Sequence, residues 1–197
     1  MIPKSIITLS ENIGKFPGIG QKTAQRLAFY LLRVSKSERN ELAESILHAD
    51  QYSSCPKCFS LTEREEPCPF CDNSKRDSAT ICVIEDFLDL FAIEQAGGYK
   101  GLYHILGGVL SPIDGVTLND LNIKELLERL DTIKEIIIAT NASLEGEATA
   151  MYLKQKIHTT HPEINITRIA RGLPMGSDLE FADSMTLQSA FDGRRTL

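Results

Sequence analysis

The sequence predicts an α/β multidomain protein: an N-terminal helical domain, a small four-cysteine metal module, a Rossmann-like parallel-sheet domain and a C-terminal helical tail. Three observations carry this. Two helix-period segments flank Pro17-Gly18-Ile19-Gly20, two Cys-x2-Cys pairs stand nine residues apart, and from residue 79 continuous apolar strands alternate with helices. The divisions fall at 1–53, 54–78, 79–172 and 173–197.

In the first division, Ile6, Leu9 and Ile13 recur at helical spacing and predict a helix over 5–15. Phe16-Pro17-Gly18-Ile19-Gly20 ends it, because proline and two glycines break the period and permit a tight turn. Ala24, Leu27, Ala28, Leu31 and Leu32 then define a second amphipathic helix over 21–34. A further helix, about 38–52 with Leu42, Ile46 and Leu47 apolar, is expected to complete the domain. Gly18 and Gly20 let a phosphate approach the backbone, and the unpaired N–H groups opening the second helix attract anions. Lys22 and Arg26, four apart, share one face of that helix and can reach flanking phosphates. No residue here is suited to reading base edges, so binding would be sequence-independent and salt-sensitive.

Cys55, Cys58, Cys68 and Cys71 have the spacing of two metal-binding knuckles. Four thiolates complete a tetrahedral shell and leave no open position, so one structural zinc per chain is expected. A disulfide pairing or an iron–sulfur cluster is the alternative. Cys82 sits in an apolar strand and reads as a small buried hydrophobe.

In the third division, strands are predicted at 79–84, 102–106, 133–140 and 164–170, and helices at 87–96, 121–130 and 145–158. Runs such as Ile136-Ile137-Ile138 mean strands covered on both faces, hence a parallel sheet between helices. Ligand sites in such sheets lie at the strands' carboxyl ends. Two of those ends are acidic: Glu85-Asp86, and Asn141-Ala142-Ser143-Leu144-Glu145-Gly146-Glu147. A last helix should end at Gly193. His48, His104, His158 and His161 have no ligand spacing to the cysteines and are assigned surface or packing roles, while Tyr99, Tyr103 and Tyr152 have no activating neighbours.

Composition is that of an ordinary globular chain: 197 residues, 42% hydrophobic and 24% charged, which excludes global disorder. No apolar run is long enough for a membrane helix, and the first residues lack a signal-peptide core, so a cytoplasmic protein without membrane contact is expected. The net charge of −6 is unevenly spread. Residues 1–37 carry six cations against Glu11 alone, a net +5, so an acidic total does not argue against nucleic acid.

These motifs also carry resemblances. Pro17-Gly18-Ile19-Gly20 with Lys22 and Arg26 resembles a helix–hairpin–helix DNA-binding motif. Ala139-Thr140-Asn141-Ala142-Ser143-Leu144-Glu145-Gly146-Glu147-Ala148 resembles the toprim domain of primases, topoisomerases and recombination proteins, with Asn141 and Ser143 where catalytic members have aspartates. Glu85, Glu145 and Glu147 match the remaining toprim acids.

The loop Tyr103-His104-Ile105-Leu106-Gly107-Gly108 with Leu110-Ser111-Pro112-Ile113-Asp114-Gly115 completes the set, with Gly172-Leu173-Pro174 through Asp183 and the closing Gly193-Arg194-Arg195. Across essentially its whole length the chain resembles the RecR family of bacterial recombination mediators. That resemblance implies a ring- or clamp-like tetramer built from dimers, binding single- and double-stranded DNA without base specificity. It implies partnership with RecO and RecF in loading RecA onto gapped single-stranded DNA, and a nucleoid-associated cytoplasmic setting. It further implies that Lys22 and Arg26, with Gly18 and Gly20, contact DNA, that Glu145 and Glu147 face RecO, and that there is no catalysis. Two other readings stay open at this point: a magnesium-dependent toprim nuclease or primase using Glu85, Glu145 and Glu147, and a protein adaptor with secondary DNA contact.

Overall fold

The computed structural model describes residues 2–194 and divides into two compact units, with the boundary at Tyr52/Ser53. Arg195, the end of the Gly-Arg-Arg motif, lies outside the described residues. Among these residues no helix is long and apolar enough to cross a membrane.

The first unit holds α1 (Lys4–Ile13), α2 (Gln21–Arg33) and α3 (Lys36–Leu47). Gly18 takes a φ of 79°, which a side chain would disfavour, and turns the chain between α1 and α2. Ala24 and Ala28 are the fully buried contacts of α2, small enough for α1 to pack closely. Ser35 and Glu38 form a capping box that starts α3, and the Arg39 guanidinium donates to the Leu31 carbonyl at the end of α2. The third helix falls within this compact unit, which runs to Tyr52. No residue of α3 is buried, and Leu42, Ile46 and Leu47 face solvent. Its apolar positions recur at helical spacing, but α1 and α2 bury only the two alanines between them.

A two-stranded ribbon, β1 (Tyr52–Ser54), whose first residue closes the first unit, and β2 (Leu61–Glu63), stands beside the cysteine knuckles at the start of the second unit. The sheet proper comprises β3 (Asp77–Ile84), β4 (Gly101–Ile105), β5 (Glu135–Ile138) and β6 (Asn165–Arg168). All pairings are parallel and the order is β4-β3-β5-β6. The helices are α4 (Phe87–Ala96), α5 (Ile123–Leu127), α6 (Leu144–Thr160) and, in the tail, α7 (Ser184–Asp192), capped at its end by Gly193.

Alternate residues of β3 serve opposite faces. Ile81 and Val83, with Ile136 and Ile138, pack against Leu126, Leu153 and Ile157 of α5 and α6. Cys82 and Ile84, with Tyr103 and Ile105, pack against Leu90 of α4. Phe59 and Phe70, which lie within the cysteine module, join this second cluster. The Phe70 and Tyr103 rings meet edge to face at 5.5 Å, as do Phe59 and His104. The Ile105 N–H donates to the Cys58 carbonyl at 2.9 Å. The knuckle is therefore part of the wall of the sheet, sharing one face with α4. Phe59 holds a left-handed φ of 62°, unusual for a bulky residue, and its ring is fixed against His104 and the second cluster.

Candidate functional site

Three constellations collect the chemistry-bearing residues. In the first unit, Gly20 caps α2 in an extended conformation, and Lys22 and Arg26 stand exposed on its first two turns. Neither forms an ion pair among the described residues.

The second constellation is the thiolate cluster. Cys55, Cys58, Cys68 and Cys71 place their sulfur atoms all within 4.8 Å of one another, with the first three buried. The Cys58 and Cys68 sulfurs are 3.6 Å apart. A tetrahedral ion with metal–sulfur bonds of about 2.3 Å separates its ligands by about 3.8 Å, so the donor set fits a four-thiolate ion. The Lys57 and Cys71 backbone N–H groups donate to the Cys55 and Cys68 sulfurs, each at 3.4 Å. Such bonds stabilise thiolate charge. The crowded sulfurs and the Ser60 hydroxyl, 3.1 Å from the Cys58 sulfur, hold the Cys58 thiol well below its ordinary range, while the same neighbours and burial push Cys71 up. The Arg129 guanidinium lies against Cys71 and donates to the Tyr103 carbonyl and to His104 Nδ1, both at 2.9 Å. Cys82 belongs to the sheet core, where burial pushes its thiol up to about 12.

The third constellation sits between the carboxyl ends of β3 and β5. The sheet order reverses there, with β4 added on one side of β3 and β5 on the other. The Glu85 carboxylate accepts from the Asn141 backbone N–H and from the Asn141 amide. Ser143 caps α6, its hydroxyl accepting from the Gly146 N–H at 3.0 Å. Gly146 is required by space: a β-carbon there would lie 2.2 Å from the Asn141 carbonyl oxygen. Glu147 pairs with both Arg168, at the end of β6, and Arg171 beyond it. Arg168 also donates to Thr140 Oγ1 at 3.2 Å. Glu145 is half-buried and its carboxylate has no partner among the described residues. Arg168 and Arg171 escaped the sequence reading, because nothing in their spacing announces a partner more than twenty residues upstream.

The structure thus brings Glu85 and Glu147 to one end of the sheet but engages them separately, one by an amide and the other by two guanidiniums. Among the described residues, only the four cysteines form a cluster of ligand atoms suited to a metal. Tyr99 and Tyr103 are remote from these acids. Their hydroxyls donate to the Leu102 carbonyl and to Glu94, and burial raises both.

A toprim-type sheet with a thiolate metal module in its wall, joined to a helix–hairpin–helix unit, defines a class of nucleic-acid-processing proteins. The Toprim domain family matches residues 79–170, the RecR helix-hairpin-helix family residues 6–49 and the RecR C-terminal family residues 172–195. Proteins named Recombination protein RecR from Gloeobacter violaceus and Myxococcus xanthus are each 48% identical to this chain over 200 residues, covering all of both sequences. The one from Moorella thermoacetica is 48% identical over 198 residues, covering 99% of this chain and 98% of the relative. The chain belongs to the RecR family of recombination proteins, which serves DNA recombination and repair.

Proposed function

We propose that this chain is a non-catalytic DNA-binding mediator that works as a ring- or clamp-like oligomer, a tetramer built from dimers. With RecO and RecF it loads RecA onto gapped single-stranded DNA in the bacterial cytoplasm. The observation that carries DNA binding is the uncompensated pair Lys22 and Arg26 at the opening of α2, directly after Gly18 and Gly20. Single- and double-stranded DNA both offer the phosphates this pair would grip, without reading bases.

Oligomerisation is supported by the apolar residues of α3 that nothing covers, and by Phe181 and Phe191 in the tail, 79% and 64% exposed. Several weak hairpin contacts on one particle would add through effective concentration. Zinc is the ion that best suits four thiolates in a closed shell. Non-catalysis is favoured by the site at the end of the sheet. Magnesium chemistry needs several free carboxylates around one ion, whereas Glu85 is held by Asn141 and Glu147 by two arginines. Glu145 is left for a partner protein, with Glu147 and Glu85 shaping the same surface.

The double substitution Lys22→Ala with Arg26→Ala should weaken DNA binding and flatten its salt dependence, with the melting curve unchanged. Wild-type binding by that variant would overturn the hairpin assignment and leave the adaptor reading. Magnesium-dependent nuclease or primase activity abolished by Glu85→Gln would overturn non-catalysis. A light-scattering mass of one chain would overturn the ring.

A further inference from the structure

The exposed side of α2 carries more than the two hairpin cations. Lys22, Gln25, Arg26, Phe29, Tyr30 and Arg33 line one shallow groove along the helix. With 3.6 residues per turn they fall within an arc of roughly 140°, opposite the buried Ala24 and Ala28. The groove contains three cations and no acid. None of the three cations has an ion-pair partner among the described residues. Between the charges of Arg26 and Arg33 stands Tyr30, 58% exposed, with no hydrogen-bond partner for its hydroxyl among the described residues. From Lys22 to Arg33 the stripe rises about 16 Å, enough for on the order of five phosphates at the axial spacing of one strand.

We infer that this stripe is a track for an unpaired nucleic-acid strand, on which Tyr30 stacks a base while Lys22, Arg26 and Arg33 hold the backbone. The inference deepens the DNA-binding reading above and rests on it. Two arguments select this occupant. A second copy of the same face would set three cations against three, which repels, so charge complementarity calls for a polyanion. In a duplex, the base faces are already stacked on each other and give an exposed phenol ring nothing to cover. An unpaired strand offers free base faces, and alternating aromatic and basic groups suit it. Arg33, at the far end of the helix from the hairpin, extends the contact beyond the residues that the hairpin motif supplies.

The test compares a labelled oligothymidylate with a duplex of equal length, on the intact protein. Tyr30→Ala should weaken oligothymidylate binding about tenfold and duplex binding less than twofold, and Tyr30→Phe should bind as wild type. Arg33→Gln should weaken both probes and reduce the salt slope for the single strand by about 0.7. Tyr30→Leu keeps apolar area without the ring, and it should lose the same affinity as the alanine variant while melting as wild type. Equal effects of Tyr30→Ala on both probes, or none, would overturn the track. So would a fall in particle mass in Tyr30→Ala, which would make this face a subunit contact. If Lys22→Ala with Arg26→Ala leaves DNA binding intact, the underlying reading fails. If that pair abolishes binding and the Tyr30 variants do not affect it, only the track fails.

Discussion

The Glu85 carboxylate is clamped by Asn141, its Oε1 2.6 Å from the backbone nitrogen and its Oε2 2.8 Å from the side-chain amide. The end of β3 is thereby tied to the end of β5 at the point where the strand order reverses. An aspartate at 141 would keep the backbone bond but turn the second donor into a like charge. Asn141→Asp should lower stability by about 1–3 kcal/mol in the absence of divalent cations. Magnesium should restore part of the loss, because two adjacent carboxylates make a cation site that the amide does not. Thermal melts with and without magnesium check this. A variant as stable as wild type in the absence of magnesium would show that the clamp contributes nothing.

Gly146, in the first turn of α6, is where that helix comes closest to the same loop. A β-carbon would meet the Asn141 carbonyl oxygen at 2.2 Å and its carbon at 3.1 Å, and this is backbone rather than a yielding side chain. Gly146→Ala should cost about 2 kcal/mol or more and loosen the Glu85–Asn141 clamp. Gly98, where an added carbon meets nothing within 4 Å, is the matched control, and Gly98→Ala should be nearly neutral. Urea unfolding of the two variants makes the comparison.

The five cysteines separate into a metal set and a packing residue. Cys55→Ser should bind less than one zinc per chain and should expose apolar surface to a fluorescent dye, because one face of the sheet rests on the knuckle. Cys82→Ala removes one buried sulfur from the core and should cost about 1–2 kcal/mol with zinc content unchanged. Zinc lost from the Cys82 variant, or retained at one per chain by the Cys55 variant, would contradict the division.

His104 gives the fold a pH dependence. Its Nε2–H donates to the Asn122 carbonyl at 2.7 Å, and its Nδ1 accepts from Arg129, which can only donate. Burial, reinforced by the Arg129 charge, pushes the imidazole down to about 4 from its ordinary 6.5. The unfolded chain therefore binds more protons than the folded one between those values. Stability from this group is complete above pH 6.5 and is lost as pH falls toward 4, by about 2 kcal/mol at pH 5. Replacing the imidazole by a group that does not titrate should remove this part of the acid sensitivity. Urea midpoints at pH 7 and pH 5, for zinc-loaded wild type and His104→Gln, should show the larger acid loss in the wild type. Identical losses would mean that His104 is not the titrating group.

Periodicity and spacing revealed much of this fold because they report local requirements. The run Ile136-Ile137-Ile138 announces a strand covered on both faces, and β5 is one. Cys55, Cys58, Cys68 and Cys71 announce a tetrahedral donor set, and their sulfurs converge. What stayed hidden depends on distant partners. Glu145 and Glu147 look alike in sequence, yet only Glu147 meets Arg168 and Arg171, because β6 ends beside α6. Phe59 and Phe70 look like loop residues between cysteines, and only the packed sheet shows that they cover β4. The apolar residues of α3 imply a core, but helical spacing does not say whether the partner surface belongs to the same chain.

The place of the cysteines along the polypeptide has a consequence for biosynthesis. All four precede Asp77, where the first strand of the parallel sheet begins. During translation the ion can be captured before any strand of that sheet has left the ribosome. The loaded knuckle would then present Phe59 and Phe70 as a ready surface for β3 and β4 as they emerge, while α5 and α6, which cover the other face, arrive later. Zinc would thus act at the start of maturation rather than sealing a finished domain. A nascent chain stalled with residue 77 just outside the exit tunnel should already hold one zinc, and a stalled chain without bound metal would refute this order.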